Sequence, residues 1–207
     1  MKVESVNLGH TVDVPWGQLK RSAIDKRPTA ARVHVHTRGI EGDEIADLKH
    51  HGGVDQAVYA FAGEELDYWS GELGRPLDPG RFGENLTTRG IDVDGSRIGD
   101  RWRIGTVVFE IASVRIPCSV FQGFVGEAHW VKRFAEHGRP GAYLRVVATG
   151  ELAAGDMIEV VESRDHDLTV AHTFRALTTE RRLLPTLAAE PRMAASIKRQ
   201  LAELSDR

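Results

Sequence analysis

Short runs in which apolar and polar residues alternate dominate the first three quarters of the chain. The clearest are residues 3–8 and 31–36, whose period of two is typical of half-buried β-strands. Short apolar runs predict further strands at 57–61, 102–104, 107–111, 144–148 and 157–161. Gly-Asp pairs at 42–43, 99–100 and 155–156 predict tight turns between them. Many short strands joined by turns favour a mainly β fold of barrel type over a parallel sheet with helical crossovers.

Apolar residues at helical spacing predict two helices inserted among these strands, over residues 63–73 and 127–137. After residue 162 the pattern changes to a polar linker followed by three short amphipathic segments. They lie around residues 170–177, 183–187 and 193–204, and Pro185 interrupts the second. We therefore predict a β-barrel domain over 1–162 and a small three-helix domain over 163–207.

Composition limits the classes of function. The 207 residues carry a formal net charge of −3, so nothing indicates general attraction to nucleic acid or to an anionic membrane. No apolar run has the length of a signal peptide or approaches the ~20 residues of a membrane helix. A single cysteine cannot form an internal disulfide. We expect a cytoplasmic protein without a membrane or nucleic-acid partner.

That cysteine, Cys118, ends the segment Val-Arg-Ile-Pro-Cys at 114–118, after the predicted strand 107–111. Pro117 restricts the backbone before the thiol, and Arg115 is near enough in sequence to favour the thiolate. A thiolate is both a nucleophile and a soft metal ligand. The alternative is a small buried hydrophobic residue, which is the commoner fate of free cysteines. The segment alone leaves both possibilities open.

A second candidate segment, residues 47–55, reads Asp-Leu-Lys-His-His-Gly-Gly-Val-Asp. Lys49 and His51 are donors beside Gly52 and Gly53, whose backbone amides can approach a phosphate or another oxyanion closely. A tetrahedral zinc site is poorly supported by one cysteine and no helical His-x-x-x-His spacing. The alternative is a polar turn that enters the strand predicted at 57–61.

A third segment, residues 81–90, offers amide and hydroxyl groups on Asn85, Thr87 and Thr88. These groups suit a polar ligand, although a strand bounded by two glycine turns explains them equally well. The segment lacks the Gly-Lys-Ser/Thr ending of a P-loop. The chain also contains no Rossmann fingerprint and no Gly-x-Ser-x-Gly elbow.

Taken in order, these segments resemble the MOSC family, named for the C-terminal domain of molybdenum cofactor sulfurases, and within it the stand-alone YiiM-like branch. The three closing helices are similar to the small helical domain that ends proteins of this branch. The resemblance covers nearly the whole chain, and its matching stretches are residues 39–43, 49–57, 82–88, 98–100, 115–118 and 141–156.

The resemblance implies a MOSC-type β-barrel with a cleft in which Cys118 coordinates the molybdenum of a molybdopterin cofactor. It also implies reduction of N-hydroxylated substrates such as hydroxylaminopurines, with electrons from a separate flavoprotein and no need of pyridoxal phosphate. We expect His51 near the metal as a proton donor, so that Cys118, His51 and Arg115 form the catalytic set. The residues expected to bind the cofactor are Lys49, Gly52, Gly53, Asp55, Asn85, Thr87 and Arg115.

Two other classes of function stay open. The protein could be a carrier, in which Cys118 holds sulfur as a persulfide or the pocket passes the cofactor to another enzyme without turnover. It could also be a binding module for a small anionic ligand, with Cys118 merely buried. Rapid alkylation of the thiol would argue against the binding module, because buried structural thiols react slowly. The amphipathic helices after residue 162 could also pack on a second subunit and form a homodimer.

Overall fold

The computed structural model describes residues 1–17, 19–47, 52–188 and 190–205. In this part of the chain the strands are β1 Lys2–Gly9, β2 Val12–Asp13, β3 Arg21–Ser22, β4 Lys26–Thr29, β5 Val33–His36, β6 Gly39–Ile40, β7 Val58–Ala62, β8 Leu86–Arg89, β9 Arg101–Ile104, β10 Val107–Val114, β11 Ala142–Ala148, β12 Gly150–Leu152 and β13 Ile158–Glu162. The α-helices are α1 Gly63–Leu73, α2 Ser119–Val125, α3 Trp130–His137, α4 Val170–Leu177, α5 Leu184–Leu187 and α6 Ala195–Ser205.

One eight-stranded sheet, in the order β13-β9-β10-β11-β7-β8-β1-β4, forms the centre of the fold. Its neighbours pair antiparallel except β7 and β8, which pair parallel with Ala60 opposite Leu86. Parallel neighbours need a crossover connection, and α1 provides it. The structure differs here from the expectation of a sheet without helical crossovers. The remaining strands form small sheets in the orders β12-β5-β6 and β2-β3.

The sheet bends so that β1, the neighbour of the edge strand β4, approaches β13 at the opposite edge, but the sheet does not close. The first residues of β1 meet the segment before β13 at one isolated bridge, Lys2 opposite Met157. The N–H of Val3 also donates to the carbonyl of Asp156 at 2.9 Å. β13 then pairs along β9 and leaves β1, so no continuous ladder joins β13 to β1. The predicted barrel is therefore not confirmed, and the fold is a mixed, sheet-dominated one.

The predicted helices agree with the structure in part. The helix at 63–73 is present with those bounds, whereas the one predicted over 127–137 begins only at Trp130, because His129 has a left-handed backbone with φ 56°. In the C-terminal region, the middle segment is a 3₁₀ turn, Arg181–Leu183, followed by the four-residue α5. Pro185 lies in the first turn of α5, where its missing N–H has no helical partner to lose.

Helices α2 and α3 pack on the sheet through a cluster of buried aromatic rings. Phe82 lies 5.1 Å from Phe61 of β7 and 5.2 Å from Phe121 of α2, measured between ring centroids. Phe121 in turn contacts Trp130 of α3 at 5.5 Å. Edge-on contacts of this kind stabilise beyond the area they bury. The cluster fixes α2, and with it the residue that precedes α2, Cys118.

The C-terminal helices are joined to the sheet by a network of charges around Glu110 of β10. Glu110 is 3% exposed and forms ion pairs with Arg101, Arg145 and Arg192, which come from β9, β11 and the segment before α6. The N–H of Ala194 donates to the carbonyl of Ala112 in β10 at 2.9 Å. These contacts cross the domain boundary expected at 162/163, which stays a prediction.

Replacing Glu110 with Ala should lower the free energy of unfolding by about 3 kcal/mol, because removing one side of a buried ion pair leaves uncompensated charge. Urea denaturation followed by circular dichroism measures the change. Glu159→Ala is the control, because its ion pair with Arg103 is exposed on both sides and should contribute less than about 1 kcal/mol. Equal losses of unfolding free energy in the two variants would show that the buried ion pairs of Glu110 stabilise the fold no more than the exposed pair of Glu159.

Asp94 is a buried carboxyl that links the sheet to the C-terminal helices. Its Oδ1 accepts the N–H of Gly141 at 2.9 Å, and its backbone carbonyl accepts the N–H of Ala171 in α4. Its Oδ2 has no hydrogen-bond partner, and the nearest cationic nitrogen, Arg139 Nε, is 3.8 Å away. Burial raises the pKa of Asp94 from 3.8 to about 7 and outweighs the opposing effects of Gly141 and Arg139.

This shift predicts a pH dependence of stability. Because the pKa of Asp94 is higher in the folded state, the folded protein binds the proton more tightly. The stabilisation that this protonation of Asp94 gives the folded state is complete below about pH 4 and is lost as the pH rises through about 7. Relative to Asp94→Asn, which keeps the acceptor for Gly141, the wild type should lose on the order of 2–3 kcal/mol between pH 5 and 8. Denaturation at several pH values measures this loss.

Asp92→Asn serves as the control for that series, since Asp92 is exposed and close in sequence. The Asp92 variant should keep the wild-type slope of stability against pH. Parallel slopes for the wild type and Asp94→Asn would show that Asp94 does not hold a proton in the folded state near neutral pH.

Candidate functional site

Cys118 lies immediately before α2, in the short connection that leads from Val114 at the end of β10. Its backbone is extended, with φ −134° and ψ 173°, and its carbonyl accepts the N–H of Gln122 at 3.0 Å. The side chain is partly exposed and packs against the hydrophobic core. The strand and the helix thus hold a thiol that is neither fully buried nor fully solvated.

Arg115 is a buried cation beside this thiol. It is 6% exposed, and its guanidinium carbon lies 4.7 Å from the ring centroid of Phe121 and 5.1 Å from that of Tyr59. The Nε of the guanidinium has no hydrogen-bond partner. Burial acts to lower the pKa of Arg115, and the neighbouring Tyr143 and Tyr59 outweigh burial, so that the pKa is raised. Arg115 therefore stays charged, and no carboxylate pairs with it in the described part of the chain.

A second buried cation, Lys26, belongs to the same region and is absent from the site residues that the sequence predicts. It forms an ion pair with Asp43, and both side chains are buried. Burial lowers the pKa of Lys26; the charge of Arg115 lowers it further, whereas Asp43 raises it. Lys26 and Asp43 are 17 positions apart, and neither belongs to a segment with the pattern of a ligand site. The Gly-Asp pair at 42–43 indicates only a turn.

Asn85 connects Asp43 to the central sheet. Its side-chain nitrogen donates to Asp43 Oδ2 at 2.9 Å and to the carbonyl of Asn7 at 3.3 Å, and its oxygen accepts the N–H of Tyr59 at 3.2 Å. Both N–H donors of the Asn85 amide are therefore used within the protein. The structure shows a framework residue, and a direct contact of Asn85 with a cofactor stays a prediction.

Thr87 also bonds internally. Its hydroxyl donates to Glu84 at 2.9 Å and accepts from the Asn7 side chain at 3.0 Å. Glu84 is fully buried, and burial raises its pKa against the effect of the N–H groups of Gly80 and Phe82. These bonds shape the segment 80–87 around Arg115.

Gly83 shows how closely that segment approaches the buried cation. Its φ is +79°, and a Cβ at this position would lie 2.9 Å from Ile24 and 3.5 Å from Arg115 Nη1. A side chain would be strained by the backbone conformation and crowded by Ile24. The glycine therefore allows the loop to cover the guanidinium.

In the second predicted segment, Asp55 bonds within the protein, and its contact with a cofactor stays a prediction. Gly52 and Gly53 have positive φ values of 80° and 82° and lead into the 3₁₀ turn Val54–Gln56. Asp55 forms an ion pair with Arg145 at 2.7 Å and accepts the N–H of Ala195, the first residue of α6, at 2.8 Å. Lys49 and His51 lie outside the described residues, so their predicted roles stay predictions.

Within the described residues, no group of three or more His, Cys, Asp or Glu side chains is arranged to hold a metal ion. Further ligands of a metal at Cys118 would have to come from a cofactor or from the rest of the chain. Among the described helices, none has the length and apolar character to cross a bilayer.

Comparison with known proteins connects this geometry to a family. The family model of the MOSC domain matches residues 47–159. The uncharacterized protein YflK of Bacillus subtilis is 31% identical over 206 residues, which cover 96% of this chain and 93% of YflK. Protein YiiM of Escherichia coli is 31% identical over 170 residues, covering 78% of this chain and 75% of YiiM.

A protein of Gibberella moniliformis named Reductase is 30% identical over 168 residues, which cover 74% of this chain but 29% of that longer protein. The crystal structure of YiiM from Geobacillus stearothermophilus has a TM-score of 0.82 and 27% sequence identity, and the match covers 98% of this chain and 97% of that one. The family model spans more than half of the chain, and relatives match over most of its length. The chain therefore belongs to the MOSC-domain family.

Proposed function

We propose that this protein binds the molybdenum cofactor through Cys118 and reduces N-hydroxylated substrates. The observation that carries the proposal is the pairing of a partly exposed thiol with Arg115, a buried cation whose Nε has no partner. The family is named for the cofactor's sulfurase, and one distant relative is named a reductase. Both names support the chemistry without assigning it to this chain.

The described residues fit such a cofactor. A cysteine thiolate is a soft ligand that suits molybdenum. The pterin part carries a phosphate, and charge-assisted bonds from guanidinium or ammonium groups are the strong ones for phosphate. Arg115 has an unused donor for such a group, and Lys26 lies close enough for their charges to interact. Cys118 would hold the metal, and Arg115 and Lys26 would hold the anionic part.

When bound, the cofactor supplies the two-electron redox chemistry, and the protein has to hold and tune it. Arg115 is fixed for this task between the rings of Phe121 and Tyr59. Phe121 is fully buried within the aromatic cluster, so water is excluded from that side of the guanidinium. His51 stays our candidate for the acid that protonates the oxygen leaving an N–OH group.

A separate protein must deliver the electrons. An iron–sulfur cluster needs several cysteine ligands, and this chain has one. The sequence also contains no dinucleotide-binding fingerprint. We propose a flavoprotein as the electron donor.

Cys118→Ala should lose nearly all bound molybdenum when it is produced in cells with an active cofactor pathway, because the variant lacks the thiolate ligand. Mass spectrometry for molybdenum and fluorescence for pterin measure the content of both proteins. Loaded wild type should also reduce an aromatic hydroxylamine with a chemical reductant. Full molybdenum occupancy in the variant would contradict the ligand role of Cys118. Wild type that carries neither metal nor pterin would instead favour persulfide transfer at Cys118.

Arg115→Gln should retain about tenfold less pterin than wild type, because a hydrogen bond to a charged group contributes about 1.5–3 kcal/mol. Arg103→Gln is the matched control, since Arg103 is an exposed arginine of β9 that forms an ion pair with Glu159. Pterin fluorescence per mole of protein is the measurement, and the thermal midpoint checks that both variants fold. Equal pterin content in the two variants would remove Arg115 from the cofactor site.

A further inference from the structure

A small cavity lies between strand β4 and the segment that links α1 to β8. Its volume is about 220 Å³. This is below the range of about 300–1,000 Å³ for pockets that hold drug-sized ligands, so the cavity suits a group of the size of phosphate. Charged side chains dominate its lining. They are Asp25, Lys26, Arg27, Arg75, Asp78 and Arg81.

Arg81 is the cation of this cavity that has no ionic partner among the described residues. The other three cations each form an ion pair. Burial lowers the pKa of Arg81, and the charges of Arg75 and Arg27 lower it further. Asp25 and Asp78 oppose this effect but do not outweigh it. An anion in the cavity would therefore relieve the repulsion between the guanidinium groups. The existing pairs are Lys26–Asp43, Arg27–Asp25 and Arg75–Glu127.

The guanidinium of Arg81 is held by its face. Its Cζ lies 4.4 Å from the ring centroid of Phe124 in α2, and that ring lies 6.2 Å from the ring of Trp16. A guanidinium that stacks on a ring uses its face, so the N–H groups around its edge stay available to an oxyanion. Within the described residues no acceptor pairs with these N–H groups, and none of them is closed to water. They are therefore accessible to a ligand in the cavity.

The segment opposite β4 is fixed in place. The φ of Gly80 is +87°, and a Cβ at this position would lie 2.4 Å from the carbonyl oxygen of Lys26, so glycine is required for this close approach. The N–H of Gly80 donates to the buried Glu84 at 2.6 Å, and the N–H of Arg81 donates to the carbonyl of Asp78 at 3.1 Å. The cavity is therefore preformed, and binding an anion requires little ordering of the segment.

We propose that this cavity binds a phosphate group, with Arg81 as its principal donor and with Arg75 and Arg27 beside it. Two parallel N–H groups of a guanidinium match the spacing of phosphate oxygens. Inorganic phosphate and a small phosphorylated organic molecule share this chemistry, and the test separates them.

The proposed phosphate site does not depend on the proposed function. Lys26 is the only residue that it shares with the proposed cofactor site. Cys118 precedes the first residue of α2, whereas Phe124 is next to its last residue. The two sites therefore use different ends of one helix.

The test uses the cofactor-free full chain labelled with ¹⁵N, at constant ionic strength set with sodium chloride. It is titrated with inorganic phosphate, with adenosine 5′-monophosphate and with adenosine, which lacks the phosphate. Phosphate and the monophosphate should shift the amide signals of residues 25–27 and 77–81 in a saturable way, whereas adenosine should not. Tighter binding of the monophosphate would identify a phosphorylated organic molecule as the ligand, and equal or weaker binding would identify inorganic phosphate.

Arg81→Gln should lower the affinity for phosphate at least about tenfold, because it removes a charge-assisted donor. Arg21→Gln is the matched control, since it removes the same charge from an exposed residue of β3 that does not line the cavity; its affinity should equal that of wild type. Arg27→Gln should lower the affinity about threefold, because Asp25 then loses its ion pair and repels the anion. Arg27 is exposed, so this variant keeps the test decisive if Arg81→Gln does not fold.

Three results would overturn the inference: no saturable shifts with phosphate, equal shifts with adenosine and its monophosphate, or equal phosphate affinity in Arg81→Gln and Arg21→Gln. Shifts confined to the signals around Arg115 and Cys118 would place phosphate at the proposed cofactor site instead and would also overturn it. Phosphate binding at the cavity of a protein that never takes up molybdenum would support the phosphate site and contradict the proposed function. Molybdenum held by Cys118 without phosphate binding at the cavity would overturn the phosphate site alone.

Discussion

The site is organised around one constraint, a buried guanidinium that no carboxylate neutralises in the described part of the chain. Arg115 stays charged between aromatic rings, and the loop at Gly83 closes over it without a side chain. A charge in such surroundings is expensive unless a partner compensates it. Elsewhere in the molecule, the buried charges of Glu110 and Lys26 do have ionic partners. Arg115 is therefore the position at which we propose that an anionic ligand binds.

Much of the fold could be predicted from local patterns. Alternation and short apolar runs predicted seven of the strands, namely β1, β5, β7, β9, β10, β11 and β13, and helical spacing predicted α1 and α4. Each of these signals is contained within a few neighbouring residues. Helix α2 was not predicted, because its seven residues form too few turns to show a clear helical period of apolar residues. The unclosed sheet and the parallel β7–β8 pair depend on contacts between distant segments, which local patterns do not contain.

The same distinction between local patterns and distant contacts applies to the residues of the candidate site. Cys118 and Arg115 belong to one five-residue segment and could be identified together, and their predicted chemistry needs no distant partner. Lys26 and Asp43 become neighbours only when β4 and the turn at 42–43 meet. The carboxylate of Asp55 pairs with Arg145 and with the backbone N–H of Ala195, 140 positions away. Its predicted contact with a cofactor stays a prediction. Contacts between such distant residues leave no pattern in either of the two sequence segments involved.

The contact between Asp55 and Ala195 also links the region matched by the MOSC family model to the C-terminal helices outside it. Similarity to the MOSC family model stops at residue 159, whereas the hydrogen bond from Ala195 ends on a carboxylate inside the matched region. The end of the region matched by the family model and the boundary of the physical unit therefore do not coincide in this chain. A fragment that ended at residue 159 would keep the whole matched region after residue 47 but would leave the Asp55 carboxylate without the N–H of Ala195.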